Sequence, residues 1–297
     1  MIAVIYTLPL YGLFIQIFIY SLWLNEVCDT VVCHGLAKMW YRDLFEGRWA
    51  EFWLEEFSEY KEMTKYDVSF LKETLRRGIT LDLCCGLGRH SIPLSHFTFI
   101  VSFDLSKYFL TILIENGRKE GYYKNLNPIR GDMRRLPSKS ESFDNVISFY
   151  TSFGYFNDEE NELVLREGSR ILKSNGIFIL EIVNAGWIIR NFRDRSWNET
   201  DSFYVLEERS LDWTEKKIKS NWVLIDKGEG KVCETMVEHR IYDLNELKSL
   251  LSKVGLRLIN VFGSSQKEGF NEARSSRMLI VGQKAIYKRK KHLTSIN

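Results

Sequence analysis

At 297 residues, with 45% hydrophobic and 27% charged side chains, the chain has the balance of a globular protein able to bury a full core, which excludes disordered, collagen-like and low-complexity classes. The formal net charge is only +2, and the basic residues Lys284, Lys288, Arg289, Lys290 and Lys291 leave the preceding body slightly acidic, so no global charge draws it to nucleic acid. Five scattered cysteines (Cys28, Cys33, Cys84, Cys85, Cys233) lack metal-hook spacing and point to reduced cytosolic thiols with no metal.

No charged side chain precedes Glu26. At about 1.5 Å per residue, 2–24 is apolar and long enough to cross a hydrocarbon core of roughly 30 Å. Tyr6, Tyr20 and Trp23 stand near its ends, as interfacial anchors would. The basic start and small-residue cleavage site of a secretory signal are missing. Three readings stay open for 1–38: a membrane anchor with the rest facing the cytosol, a buried apolar helix, or an extension upstream of a real start at Met39.

Residues 40–77 space their aromatics (Trp40, Phe45, Trp49, Phe52, Trp53, Phe57, Tyr60) by three and four, which predicts amphipathic helices and reads most simply as core packing. Strands are then expected at 79–84, 99–104, 128–131, 145–149 and 176–183, with helices at 89–95, 108–120 and 159–173 between them. Strands alternating with helices predict a parallel sheet covered on both faces. Beyond 184 the rhythm breaks. Segments 202–209, 217–226 and 231–242 alternate polar and apolar residues around a Lys227-Gly228-Glu229-Gly230 turn, predicting an antiparallel sheet with one wet face. Asp243 then precedes a helix over 244–254 that Gly255 stops, and 256–261 and 277–282 complete the first sheet.

Chemistry concentrates where the expected strands end. Ile79-Thr-Leu-Asp82-Leu-Cys84-Cys85-Gly86-Leu87-Gly88-Arg89-His90 runs from strand into helix, and its glycines let backbone approach a ligand near unpaired N–H groups. Asp104 ends the second strand, twenty-two residues after Asp82, and an ionised carboxylate there can accept both hydroxyls of a ribose. Asp132 ends the third strand, able to accept an adenine amine while Met133 packs on the ring. Phe149-Tyr-Thr-Ser-Phe-Gly154-Tyr155-Phe156 follows the fourth. Singly, Asp104 and Asp132 read equally as helix caps or turn residues, and Cys84 and Cys85 as small buried residues. Together and in order they mark the ligand edge of an open parallel sheet.

In this order the motifs resemble the class I S-adenosylmethionine-dependent methyltransferases, over about two-thirds of the chain. The Leu-Asp-Leu-Cys-Cys-Gly-Leu-Gly-Arg-His run, Gly131-Asp132-Met133-Arg134 with Leu136-Pro137, Thr151 to Phe156, and Arg170-Ile-Leu-Lys-Ser-Asn-Gly176 are similar to a small-molecule-type subgroup. Departures are Cys84 where a glycine often stands and Asn175 for the commoner proline. The resemblance implies an α/β Rossmann-like sheet with helices on both faces and an inserted antiparallel β lid. It implies S-adenosylmethionine as cofactor, S-adenosylhomocysteine as product, and a small-molecule N, O or C acceptor. By position, Asp82, Cys84, Gly86 and Gly88 would line the methionine part. Asp104 would hold the ribose diol, Leu105, Asp132 and Met133 the adenine, and Phe149 would offer its carbonyl to the amino group. The layout expected is 1–38 extension, 39–78 helical cap, 79–184 cofactor core, 185–240 lid, 241–284 core completion and 285–297 basic tail.

Methyl transfer from a sulfonium needs alignment and water exclusion more than a base. The weak base candidate is His239, at the lid exit; His90 reads more simply as packed or at the surface. Tyr155, Asn184, Arg190 and Arg240 are candidate acceptor contacts, the last within an Arg-x-Tyr with Tyr242. No Pro-Cys nucleophile and no Asn/Asp-Pro-Pro-aromatic box is present, which disfavours base methylation of nucleic acid. Cys84 and Ser91 in the outer glycine places break a nicotinamide fingerprint. RNA or protein methylation, and a non-catalytic cofactor-binding module, stay as alternatives, with oligomeric state open.

Overall fold

Short runs of buried β-branched and aromatic residues build the first sheet: β1 Ile79–Leu83, β2 Phe99–Asp104, β3 Leu126–Arg130, β4 Phe143–Ser148, β5 Leu172–Val183, β10 Leu256–Phe262 and β11 Arg277–Lys284. Their order across the sheet is β10-β11-β5-β4-β1-β2-β3. β1 through β5 pair in parallel, while β11 runs antiparallel to β5 and β10 antiparallel to β11. The chain reverses its winding between β1 and β4, where open sheets of this kind bind ligands. The structure, a computed structural model, describes residues 40–121 and 123–286. The apolar stretch 2–24 and nearly all of the basic tail therefore lie outside the described residues. No helix among the described residues is long and apolar enough to cross a membrane.

The helices of the first sheet are α4 Ser91–Leu94, α5 Lys107–Lys119, α6 Asp158–Ile171 and α8 Leu244–Lys253. Their starts are written locally. Ser106 caps α5 by accepting from Phe109 N, Asn157 caps α6, and Asp243 with Glu246 forms a reciprocal capping box on α8. Before β1 come α1 Trp40–Asp43, α2 Gly47–Ser58 and α3 Lys61–Thr74. Between β5 and α8 lie α7 Ala185–Arg190 and a second, antiparallel sheet ordered β6-β7-β8-β9. Its strands are β6 Arg195–Glu199, β7 Phe203–Asp212, β8 Lys217–Asp226 and β9 Val232–Arg240.

The aromatic stripe of 40–57 has two employments where the sequence reading gave it one. Trp49, Ala50, Phe52 and Trp53 of α2 pack with Phe203, Val205, Leu224 and Val237, joining the second sheet to α2 as a common core. Trp53 Nε1 also donates to the Leu44 carbonyl at 2.9 Å. Trp40, Tyr41, Phe45 and Phe57 instead turn toward a cavity between the two sheets. Strand β6 was not predicted: Arg-Ser-Trp-Asn-Glu is an exposed edge with no alternating apolar signal, and it is placed by pairing with β7.

Candidate active site

The cavity, about 340 Å³, opens over the carboxyl ends of β1 through β4. That volume falls within the roughly 300–1,000 Å³ of sites that enclose small ligands. Its floor begins where β1 ends. Cys84 takes φ +62°, a left-handed conformation that suits glycine and costs other residues about 1 kcal/mol. Its N–H and that of Cys85 both donate to the Phe103 carbonyl, at 2.8 and 3.1 Å, folding the loop back over β2. Gly86 follows at φ +53°, with open space where a Cβ would stand. Asp104 clamps this loop. Its Oδ2 accepts from Gly86 N and its Oδ1 from Ser106 N, both at 2.8 Å. Burial raises the Asp104 carboxyl against the pull of these backbone donors.

At the end of β3 the Asp132 carboxylate is forked by Arg134, with Nε–Oδ1 at 3.0 Å and Nη2–Oδ2 at 2.6 Å. That guanidinium outweighs the burial that opposes charge, so the Asp132 carboxyl falls below its ordinary value. Arg134 also donates to Glu160 and to the Tyr41 hydroxyl, tying α1 and α6 to this end of the floor. Met133, between them, packs its sulfur 3.4 Å from Cys84 Sγ.

Past β4, Tyr150 and Thr151 adopt φ +59° and +55° in succession, both lining the cavity. A β-branched residue there is strained, and the strain is held by Glu181 of β5. Glu181 accepts from Tyr150 N through Oε2 (2.6 Å) and from Thr151 N through its carbonyl (3.3 Å). The Phe149 carbonyl already accepts the Ser152 hydroxyl at 2.9 Å. Burial raises the Tyr150 phenol to about 12, so it remains a hydrogen-bond donor.

Behind the floor sits a buried charge cluster. Asp67 of α3, with no exposed surface, accepts from Arg89 Nη1, His90 Nε2 and Arg277 Nη2, each at 3.2 Å, and from Ser265. Burial, with the Arg89 guanidinium beside it, lowers His90 to about 4 and leaves it neutral at pH 7. Arg89 itself reaches the cavity, and its Nη2 is buried with no hydrogen-bond partner.

The roof is the inner face of the second sheet: Glu207 and Arg209 of β7, Ser220 and Trp222 of β8, and His239 of β9. His239 Nε2 lies 2.9 Å from the Phe153 carbonyl, which can only accept, so the proton is on Nε2 and Nδ1 keeps a lone pair. Burial lowers His239 to about 4, making it a weak base whose Nδ1 stays unprotonated at pH 7 and able to accept a hydrogen bond. Tyr155 meets its ring edge-on at 5.5 Å.

The structure thus gathers Cys84, Gly86, Asp104, Leu105, Asp132, Met133, Phe149, Tyr155 and His239 around one cavity. Five expected residues lie elsewhere. Asp82 is buried below the loop, accepting from Ser91 Oγ at 2.7 Å, with burial raising its carboxyl to about 6. Gly88 is a packing position, since an added Cβ would stand 2.8 Å from Leu113. Asn184 caps α7 and holds the Glu272 and Ser275 carbonyls. Arg240 is buried against Asp158 and Glu246 and stacks on Tyr242 at 4.4 Å. Arg190 is exposed on α7, away from the lining. These three polar residues were expected at the acceptor because polar residues at an insertion's margins look alike whether they cap, brace or bind. Arg89, Glu207, Arg209 and Trp222 were missed: period-2 alternation marks two faces of a strand without saying which one is roofed over a site.

Residues 80–176 match the family model described as methyltransferase domain. Over these residues the chain carries a methyltransferase domain. This methyltransferase is 25% identical over 242 residues to an uncharacterized protein of Methanocaldococcus jannaschii, covering 80% of this chain and 84% of that one. It is 25% identical over 239 residues to a glycine/sarcosine N-methyltransferase of Aphanothece halophytica, covering 76% and 85%. Its fold is similar to a crystal structure of an S-adenosylmethionine-dependent methyltransferase from Clostridium acetobutylicum, with a TM-score of 0.68 at 17% identity over 80% of this chain and 98% of that one. Its cofactor is S-adenosylmethionine.

Proposed function

We propose that this methyltransferase moves the methyl group of S-adenosylmethionine to a small-molecule nitrogen, oxygen or carbon acceptor held under the second sheet. One observation carries the reading: floor and roof line a single cavity of about 340 Å³, walled by aromatics of α1 and α2, a scale suited to a small acceptor beside the cofactor. The relative named for glycine and sarcosine, aligned along most of both chains, supports a small acceptor. When bound, S-adenosylmethionine supplies an electrophilic methyl on a sulfonium.

The residues present suit that cofactor. Space at Gly86 admits close backbone approach. Each Asp104 oxygen, after one backbone bond, has a lone pair left for a ribose hydroxyl. Asp132, Met133 and Leu105 suit an adenine edge and face. The orphaned Arg89 Nη2 suits the amino-acid carboxylate, since a buried guanidinium N–H without a partner is costly. His239 Nδ1 orients the acceptor by taking a hydrogen bond from its N–H or O–H, a role its lowered pKa allows better than bulk deprotonation. The aromatic walls exclude water from the transfer. The free thiols Cys84 and Cys85 support a cytoplasmic setting.

The test is transfer from methyl-tritiated cofactor into dialysable metabolites, RNA and protein fractions in parallel. Label in the dialysable fraction is expected. Label confined to RNA or protein would replace the small acceptor with a macromolecular one, and cofactor binding without transfer would leave a binding module.

A further inference from the structure

Among the described residues, two guanidinium nitrogens are buried without a hydrogen-bond partner, Arg89 Nη2 and Arg209 Nε, and both belong to residues lining the cavity. They come from different elements, one from the loop after β1 and one from β7 of the roof. The cofactor's single carboxylate answers one of them. The other is left without an acceptor, and a charged oxygen is the strongest one that could supply it.

Arg209 is built to hold its place. Nη2 donates to Ser196 Oγ at 2.9 Å. Glu207 Oε1 stands 3.6 Å from Nε, inside ion-pair range but beyond a hydrogen bond. Glu207 cannot close that gap without losing partners, because Trp222 Nε1 donates to Oε1 at 2.9 Å and Ser196 Oγ to Oε2 at 3.1 Å. The neighbouring carboxylate is therefore anchored just beyond hydrogen-bond reach, and the Nε–H of this cavity-lining residue is left without an acceptor. Across the strand, Arg209 pairs with Ser220, also in the lining.

We infer that Arg209 is the acceptor-binding subsite for a carboxylate, so that the acceptor is a small monoanionic carboxylic acid. This rests on the methyltransferase reading above. A planar guanidinium with free N–H groups matches the two oxygens of a carboxylate, and the charge-assisted bond satisfies the orphaned donor. Glu207, fixed beside it, repels any entering anion and a dianion about twice as strongly as a monoanion, which sets a carboxylate ahead of a phosphate dianion. The positive sulfonium of the bound cofactor favours an anion across the cavity in the same way.

The full-length protein, saturated with S-adenosylhomocysteine, is titrated calorimetrically with acetate and propionate, with acetamide and propionamide, and with inorganic phosphate. The acids are expected to bind at least about tenfold more tightly than the amides or phosphate. In Arg209→Met that preference disappears, in Arg209→Lys part of it survives, and S-adenosylhomocysteine affinity stays within about twofold in both. Equal binding of acid and amide by the wild type overturns the inference without needing any variant to fold. Tighter binding of phosphate overturns it as well. Loss of S-adenosylhomocysteine affinity in a folded Arg209→Met reassigns the guanidinium to the cofactor. Failure of the wild type to bind S-adenosylhomocysteine at all removes the methyltransferase reading beneath it, an outcome distinct from the other three.

Discussion

His90 and Asp82 flank the glycine loop and burial shifts them in opposite directions, so acid should pull on them in opposite directions. Burial lowers His90 from 6.5 to about 4 and raises Asp82 from 3.8 to about 6. The neutral histidine contributes stability that is present above its unfolded value and lost as pH falls toward about 4. At about 1.4 kcal/mol per pH unit, that gap amounts to about 3 kcal/mol. The protonated Asp82 has the reverse sign. Its contribution is present below the unfolded value and lost as pH rises through about 6, again about 3 kcal/mol. Both groups are almost wholly buried, so solvent screening takes little from either figure. Urea unfolding followed by tryptophan fluorescence at pH values of about 5, 6 and 7 separates them in His90→Asn and Asp82→Asn. Between about pH 5 and 6, stability of the histidine variant should rise less steeply with pH than wild type by about 1 kcal/mol per unit, and that of the aspartate variant more steeply by about the same amount. Slopes matters here, not absolute stabilities, because each substitution also removes packing. If both variants run parallel to wild type, the argument from burial is wrong.

Three further substitutions probe separate parts of the account. Trp53→Ala removes the indole joining α2 to the second sheet and should cost about 3–5 kcal/mol in denaturant unfolding; a loss below about 1 kcal/mol would contradict that junction. Arg89→Met should weaken S-adenosylmethionine about 10- to 100-fold while leaving methylthioadenosine, which lacks the amino-acid carboxylate, within about twofold; equal losses for both ligands would remove Arg89 from that role. Gly86→Ala places a methyl in the open space at φ +53° and should lower stability by about 1 kcal/mol as well as cofactor affinity about tenfold. Unchanged affinity would show that backbone approach at Gly86 is not used.

The parallel sheet was legible because each strand is a short apolar run closed by turn chemistry, and because Gly86, Asp104 and Asp132 recur at strand ends where little but a ligand requires them together. Phe99–Asp104 and Lys217–Asp226 fall at the predicted bounds. Cys84 looked like an exception to the family pattern, and its positive φ shows why glycine is common there. The edge strand Arg195–Glu199 was not legible, since its residues carry no burial period and its place comes from pairing with β7. The acceptor side was the least legible. Asn184 and Arg240 read as candidate contacts, yet Asn184 fastens α7 to the 272–275 carbonyls and Arg240 is locked between Asp158 and Glu246. Arg209, in contrast, looked like any charged residue on an alternating strand. Only the sheet's docking on α2 turns its face to the cavity, and that docking is a long-range event without a local signature.

The central claim is tested most directly by calorimetric titration of the full-length protein with S-adenosylmethionine, beside Asp104→Ala. Asp104 holds the loop through Gly86 and has a lone pair left on each oxygen, so its loss should weaken binding about 100-fold or more while the protein stays folded. Micromolar binding by the wild type, lost in the variant, is the predicted result. A folded wild type that binds no S-adenosylmethionine, or a variant that binds it equally well, would contradict the account.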